Sequence, residues 1–60
     1  MTVKEFKNTD LCKKAKKITY YDLKDVDISN KLPSILNLLD VIATSNNSDG
    51  SIDVYTSYIE

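Results

Sequence analysis

Apolar and polar residues alternate along this chain with two different periods, and each period predicts a different element. Thr2-Val3-Lys4-Glu5 has the spacing of a capping box, in which a threonine hydroxyl and a glutamate three residues on satisfy each other's free backbone amides. Thr9 or Asp10 offers a second cap, ahead of a segment where Leu11, Ala15 and Ile18 recur at helical spacing. The N-terminal third therefore reads as helix, with an irregular strand as the alternative. Ile18-Thr19-Tyr20-Tyr21-Asp22-Leu23 is rich in the β-branched and aromatic side chains that fill a pleated, half-buried surface, and is read as a strand. Lys24 to Asp27 is a charged connection.

Beyond that connection, Ser29 or Asn30 can cap a helix whose first turn holds Pro33 and which is expected to run to about Thr44. Leu32, Ile35, Leu36, Leu39, Ile42 and Ala43 then share one face, while Leu38 and Val41 fall outside it. Such a helix has more apolar surface than one sheet covers, and the surplus points to a twin subunit or a target. Ser45 to Gly50 is rich in turn-forming residues, and Ser51 to Ile59 is a closing strand with Ile52 and Val54 on one side and Tyr55 and Ile59 on the other. The expected class is α+β: a small, mostly antiparallel β-sheet of about three strands with one main helix packed on it. With no repeat and no low-complexity linker, residues 1–60 form a single domain.

Length sharpens the question of what holds this domain together. A chain of 60 residues buries only about 60% of the surface it exposes when unfolded. Cys12 is the single cysteine and there is no histidine, so neither an internal disulfide nor a Cys/His zinc site can form, and self-association or partner binding is left as the staple. A free thiol, together with an N-terminus lacking an apolar signal region, leads us to expect a cytoplasmic protein. The apolar stretch from Leu32 to Ala43 is interrupted by Pro33, Ser34, Asn37 and Asp40 and falls short of the ~20 residues that span a bilayer, so no membrane partner is expected.

The formal charge of −1 conceals an asymmetry: residues 1–20 hold six lysines against Glu5 and Asp10, a net +4, and residues 21–60 hold two lysines against seven acids, a net −5. All eight cations are lysine. Without the guanidinium fork that reads guanine, direct sequence-specific binding of nucleic acid is not expected. Lys13, Lys14, Lys16 and Lys17 can attract phosphate non-specifically, although a solvated, solubilising face is the plainer reading. Catalysis is disfavoured too, because no histidine–nucleophile pair can be assembled and Asp22, Asp25 and Asp27 lie in or beside an exposed connection where nothing separates their pKa values. Ser45 to Thr56 partly follows a calcium loop, but Ser45 and Thr56 stand where that motif needs acids, and a polar turn built on Gly50 explains it better. No metal and no cofactor are expected. Asp40 stands out because it lies mid-helix in this reading, where local structure gains nothing from it.

Tyr20-Tyr21-Asp22, a helix carrying Leu39-Asp40-Val41-Ile42, and a closing strand together resemble the small uracil-DNA glycosylase inhibitors of protein-primed Bacillus phages, over roughly residues 18–60. The resemblance implies a homodimer and a DNA decoy, with an apolar pocket that takes up the side chain a glycosylase pushes into the minor groove during base flipping. It implies that Leu39, Val41 and Ile42 line the pocket or dimer seam; Leu36 and Ala43 are candidate partner-binding residues beside them, Ala43 standing where the family shows an aromatic. Asp22 and Asp40 would stand in for phosphates or accept hydrogen bonds from the enzyme, and Tyr20 and Tyr21 would support the pocket from the sheet. The implied partner is the host uracil-DNA glycosylase. Two other readings stand beside it: a small lysine-rich DNA-binding or regulatory protein, and a phage antagonist of some other host enzyme.

Overall fold

The computed structural model describes residues 1–59. The fold is α+β, with short helices α1 (Val3–Phe6) and α2 (Asp10–Lys14), strand β1 (Lys17–Tyr21), helix α3 (Pro33–Leu36), and strands β2 (Val41–Asn46) and β3 (Ser51–Thr56). The strands form one sheet in the order β1-β3-β2, with β1 parallel and β2 antiparallel to the central β3. The sheet is thus mixed rather than mostly antiparallel. The last strand to form in sequence occupies the middle, so each of its neighbours is paired through a contact distant along the chain or across a tight hairpin.

The N-terminus follows its local signals. Thr2 accepts from the Glu5 amide at 3.2 Å and Glu5 accepts from the Thr2 amide at 2.9 Å, closing the capping box. Thr9 caps α2 by accepting from Cys12 N–H at 3.3 Å. Between the two, Lys7 ends α1, so the N-terminal region is two single turns rather than one helix, and Ile18 belongs to β1.

The long helix expected from residue 29 to 44 does not form. Pro33 does start a helix, but the N-cap is Leu32 and the turn ends at Asn37. The Ser29 hydroxyl, one of the expected caps, instead accepts from Tyr20 N–H at 2.9 Å. Residues 41–46 leave the helical path because Val41, Ile42 and Thr44 are β-branched and β3 offers register partners to all of the segment but Ile42. A short apolar run fits either period, and here the long-range pairing decides.

β3 alternates cleanly: Ile52, Val54 and Thr56 are buried, and the residues between them are half-buried. Val3 and Phe6 of α1, Tyr20, Ile28, Leu36, Ile52 and Val54 form the core, with Leu39, Val41 and Tyr58 packed against it. Thr56, 0% exposed, places its hydroxyl on the Tyr21 carbonyl at 2.9 Å, so the one buried hydroxyl of the central strand is satisfied. The β2–β3 hairpin turns at Asn47 to Gly50, with Gly50 at φ +90°. An added Cβ there would meet the Lys16 side chain at 3.0 Å, in a left-handed conformation that already favours glycine. The Asp49 carboxylate accepts from Ser51 N–H at 2.9 Å and Ser51 Oγ at 2.7 Å, closing the turn on itself.

Candidate functional site

The two edges of the sheet are finished differently, and the difference locates the site. Outside β1, the chain folds back over residues 22–29: Ile28 N–H donates to Tyr20 O at 2.8 Å, Asp22 N–H donates to Val26 O at 3.0 Å, and Asp27 bridges Tyr21. Asp22 organises this cover. Its carboxylate, 4% exposed with the residue, accepts from Lys24 N–H at 2.7 Å and Val26 N–H at 2.9 Å, which holds the turn in which Asp25 adopts a φ of 64°.

Outside β2 the cover is shorter. Met1 O accepts from Val41 N–H at 2.6 Å, Thr2 bridges Asp40, and Val3 N–H donates to Leu39 O at 2.8 Å. Past Val41 the edge is uncovered among the described residues, and Ile42 to Asn46 are all exposed. Pairing with β3 shifts register by one between Val41 and Ala43, a bulge at Ile42. The bulge puts Val41 on the core side, opposite Thr56, and leaves Ile42 57% exposed.

Beside this open edge lies an apolar pocket of about 360 Å³. Met1, Phe6, Thr9 and Leu11 form one wall and residues 41–44 the other. α1 and α2 supply Phe6 and Leu11, positioned by the Thr2 and Thr9 caps. Asp10 and Asp40, both exposed, adjoin lining residues in the chain.

Of the residues singled out from sequence, Val41, Ile42 and Ala43 meet at this pocket, on a strand rather than a helix. Leu39 packs half-buried against the core just before them. Asp40 is exposed, and its backbone joins the N-terminal segment to Ser57 N–H at 3.0 Å. Leu36 and Tyr20 lie in the core. Tyr20 supports the fold from the buried side, where burial first and the Cys12 side chain second raise its phenol above the ordinary 10.0. Tyr21 is on the opposite face from Tyr20 and stacks on Tyr55 instead of backing the pocket. Asp22 is buried in its own turn, where one carboxylate oxygen accepts from both Lys24 and Val26 N–H, so the exposed phosphate stand-in expected of it is corrected. Nor do the nine residues form one surface, because the helix that was to present Leu36 to Ala43 together ends at Leu36.

Met1, Phe6, Thr9, Leu11 and Thr44 were not foreseen. Leu11 carried a signal, its helical spacing behind Thr9, whereas Met1 and Phe6 are brought to β2 by strand pairing that no local pattern encodes. No group of three or more acidic, cysteine or histidine residues placed to hold a metal occurs among the described residues, and no helix there is long and apolar enough to cross a membrane. No protein-family model, curated protein or solved structure matches the chain.

Proposed function

We propose that this chain is a protein-binding module whose working surface is the β2 edge and the pocket beside it, and that its partner inserts an apolar side chain there. The single observation that carries this reading is the pocket. A cavity of about 150 Å³ already admits a benzene-sized group. The space beside β2, about 360 Å³, is larger than that and is walled mainly by Met1, Phe6, Leu11, Val41 and Ile42. Apolar pockets with a few polar groups at the rim are the usual form of a binding site.

In its narrower form the proposal is inhibition of uracil-DNA glycosylase by DNA mimicry. The pocket would receive the enzyme's DNA-intercalating side chain, and the exposed carboxylates of Asp10 and Asp40 would meet cationic groups that otherwise hold phosphate. Support comes from Val41 and Ile42, which the family resemblance assigns to the pocket or dimer seam and which line this pocket. Self-association belongs to the same proposal, since Leu32 and Leu38 are 65% and 81% exposed in the single chain. Titrating purified uracil-DNA glycosylase on uracil-containing DNA tests it: activity is expected to fall in proportion to added chain and vanish at a fixed ratio. Ile42→Asp should abolish the effect at that ratio. Full activity with the chain in excess would overturn the narrower form.

A second reading has its own observation: Lys13, Lys14, Lys16 and Lys17 are all exposed. Binding to random-sequence DNA that weakens steeply with salt would favour a non-specific DNA-binding role instead.

A further inference from the structure

The sheet has a second surface, on the side away from the core. Tyr21 and Tyr55 are register partners on neighbouring strands, with ring centroids 5.4 Å apart and planes inclined by 22°. Thr19 and Asp53 form the next pair on the same face, and Ala43 and Ser45 continue it onto β2 opposite Tyr55 and Asp53. The three helices contribute to the opposite, buried side through Val3, Phe6 and Leu36 in the core and Cys12 packed against it. What the helices leave uncovered is a half-buried, stacked aromatic pair with a carboxylate beside it.

Charge decides what this face would accept. Asp53 has uncharged neighbours on both flanking strands, Thr19 and Ser45. Asp27 bridges Tyr21 at the β1 edge. The Tyr21 phenol is held above the ordinary 10.0, first by desolvation and then by the negative fields of Asp53 and Asp27, so both carboxylates are felt at the ring. Lys17 lies on the same face, opposite Ser51, and its field lowers Asp27 and Asp49 slightly, after the larger effect of their hydrogen bonds to serine. Two carboxylates next to the rings repel phosphate, which makes a nucleobase on a phosphodiester chain a poor occupant. They attract a cation, and tyrosine faces attract one as well. The chain already does this internally a short way along: Lys31 Nζ sits 5.3 Å from the centre of the Tyr58 ring.

We propose that the open sheet face receives an arginine side chain from a protein partner, its guanidinium stacked on the Tyr21–Tyr55 pair and hydrogen-bonded to the Asp53 carboxylate. Arginine is favoured over lysine because its group is planar, weakly hydrated and presents paired donors to a carboxylate. This site is separate from the pocket and stands whether or not the chain inhibits a glycosylase.

The test is a titration of the isotope-labelled, full-length chain with capped Gly-Arg-Gly, Gly-Lys-Gly and Gly-citrulline-Gly peptides, followed by amide NMR shifts. With the arginine peptide, shifts should saturate at Thr19, Tyr21, Asp53 and Tyr55, with a Kd on the order of millimolar. The lysine peptide should bind about threefold more weakly and the citrulline peptide, which keeps the plane but not the charge, about tenfold more weakly. Tyr55→Leu should weaken arginine binding about tenfold while Tyr55→Phe retains it, with undisturbed Ile52 and Val54 amides reporting that both variants fold. Equal responses to all three peptides, shifts confined to Leu11 and residues 41–44, or undiminished binding by folded Tyr55→Leu would each overturn the proposal.

Discussion

The β1 and β2 edges belong to one three-stranded sheet, yet the chain treats them in opposite ways. At β1 it invests residues 22–29, a buried carboxylate and a left-handed aspartate to cover the strand. At β2 it supplies the first three residues and a bulge, and leaves Ile42 to Asn46 exposed next to an apolar pocket. An uncovered edge is a liability for aggregation, which a bulge reduces by twisting the strand away from further pairing. Chain length makes the contrast instructive. A small domain has little chain to spare for covering its edges, and the one left uncovered lies against the surface we propose for binding.

The difference can be broken most severely at the closed edge. Asp22→Ala removes the acceptor of two amides in a site 4% exposed and is expected to cost about 3 kcal/mol in urea unfolding. Asp22→Asn, which keeps one carbonyl oxygen, should lose about half of that. A smaller cost should follow at the N-terminal flap, where Thr2→Ala undoes the capping box and loosens the Met1–Val3 cover of β2, by about 1 kcal/mol. Ile42→Asp sharpens the comparison from the other side. Its effect on stability is expected to stay within about 0.5 kcal/mol, because the side chain it replaces is exposed, while partner affinity falls by more than about 2 kcal/mol.

The smallest effect is acid sensitivity, and it is shared by both ends of the molecule. Hydrogen bonds from the Thr2 backbone and hydroxyl hold Glu5 below its ordinary 4.5, and those from the Ser29 backbone and hydroxyl hold Asp27 below 3.8. Asp49 is lowered in the same way by the Ser51 hydroxyl and amide. A carboxylate whose folded pKa is depressed stabilises the fold at pH above its unfolded value, and that contribution is lost as pH falls through the folded one. The thermal midpoint should therefore decline modestly below the ordinary carboxylate range. Tyr21, raised in the fold, acts in the other direction: its contribution is present below 10.0 and lost as pH rises further. A midpoint unchanged in acid would show that these hydrogen bonds contribute nothing to stability.

What the sequence revealed depended on how local the responsible interaction is. The capping box at Thr2, the cap at Thr9 and the turn at Gly50 are each formed by residues within a few positions of one another, and each is where the pattern put it. The strand expected over Ile18 to Leu23 runs Lys17–Tyr21 and pairs with the distant β3, but its β-branched and aromatic side chains already announced it. The class α+β was legible for the same reason. Residues 37–46 were not, since Leu39, Ile42 and Ala43 satisfy a helical stripe, and only the distant partner β3 turns Val41 to Asn46 into a strand. The site inherits that division. Val41, Ile42 and Ala43 were among the candidate partner-binding residues, but the opposite wall comes from Met1 and Phe6, which β2 meets only after folding. Asp22 shows the converse error: an acid beside two tyrosines looks available for a partner until its two backbone donors are seen.

Whether the β2 edge is the working surface is tested most directly by amide NMR of the labelled chain mixed with unlabelled uracil-DNA glycosylase. The strongest perturbations are expected on Thr9, Leu11 and residues 41–44, on both walls of the pocket. Spectra that stay unchanged with the enzyme in excess, or that change only along Lys13 to Lys17, would contradict it.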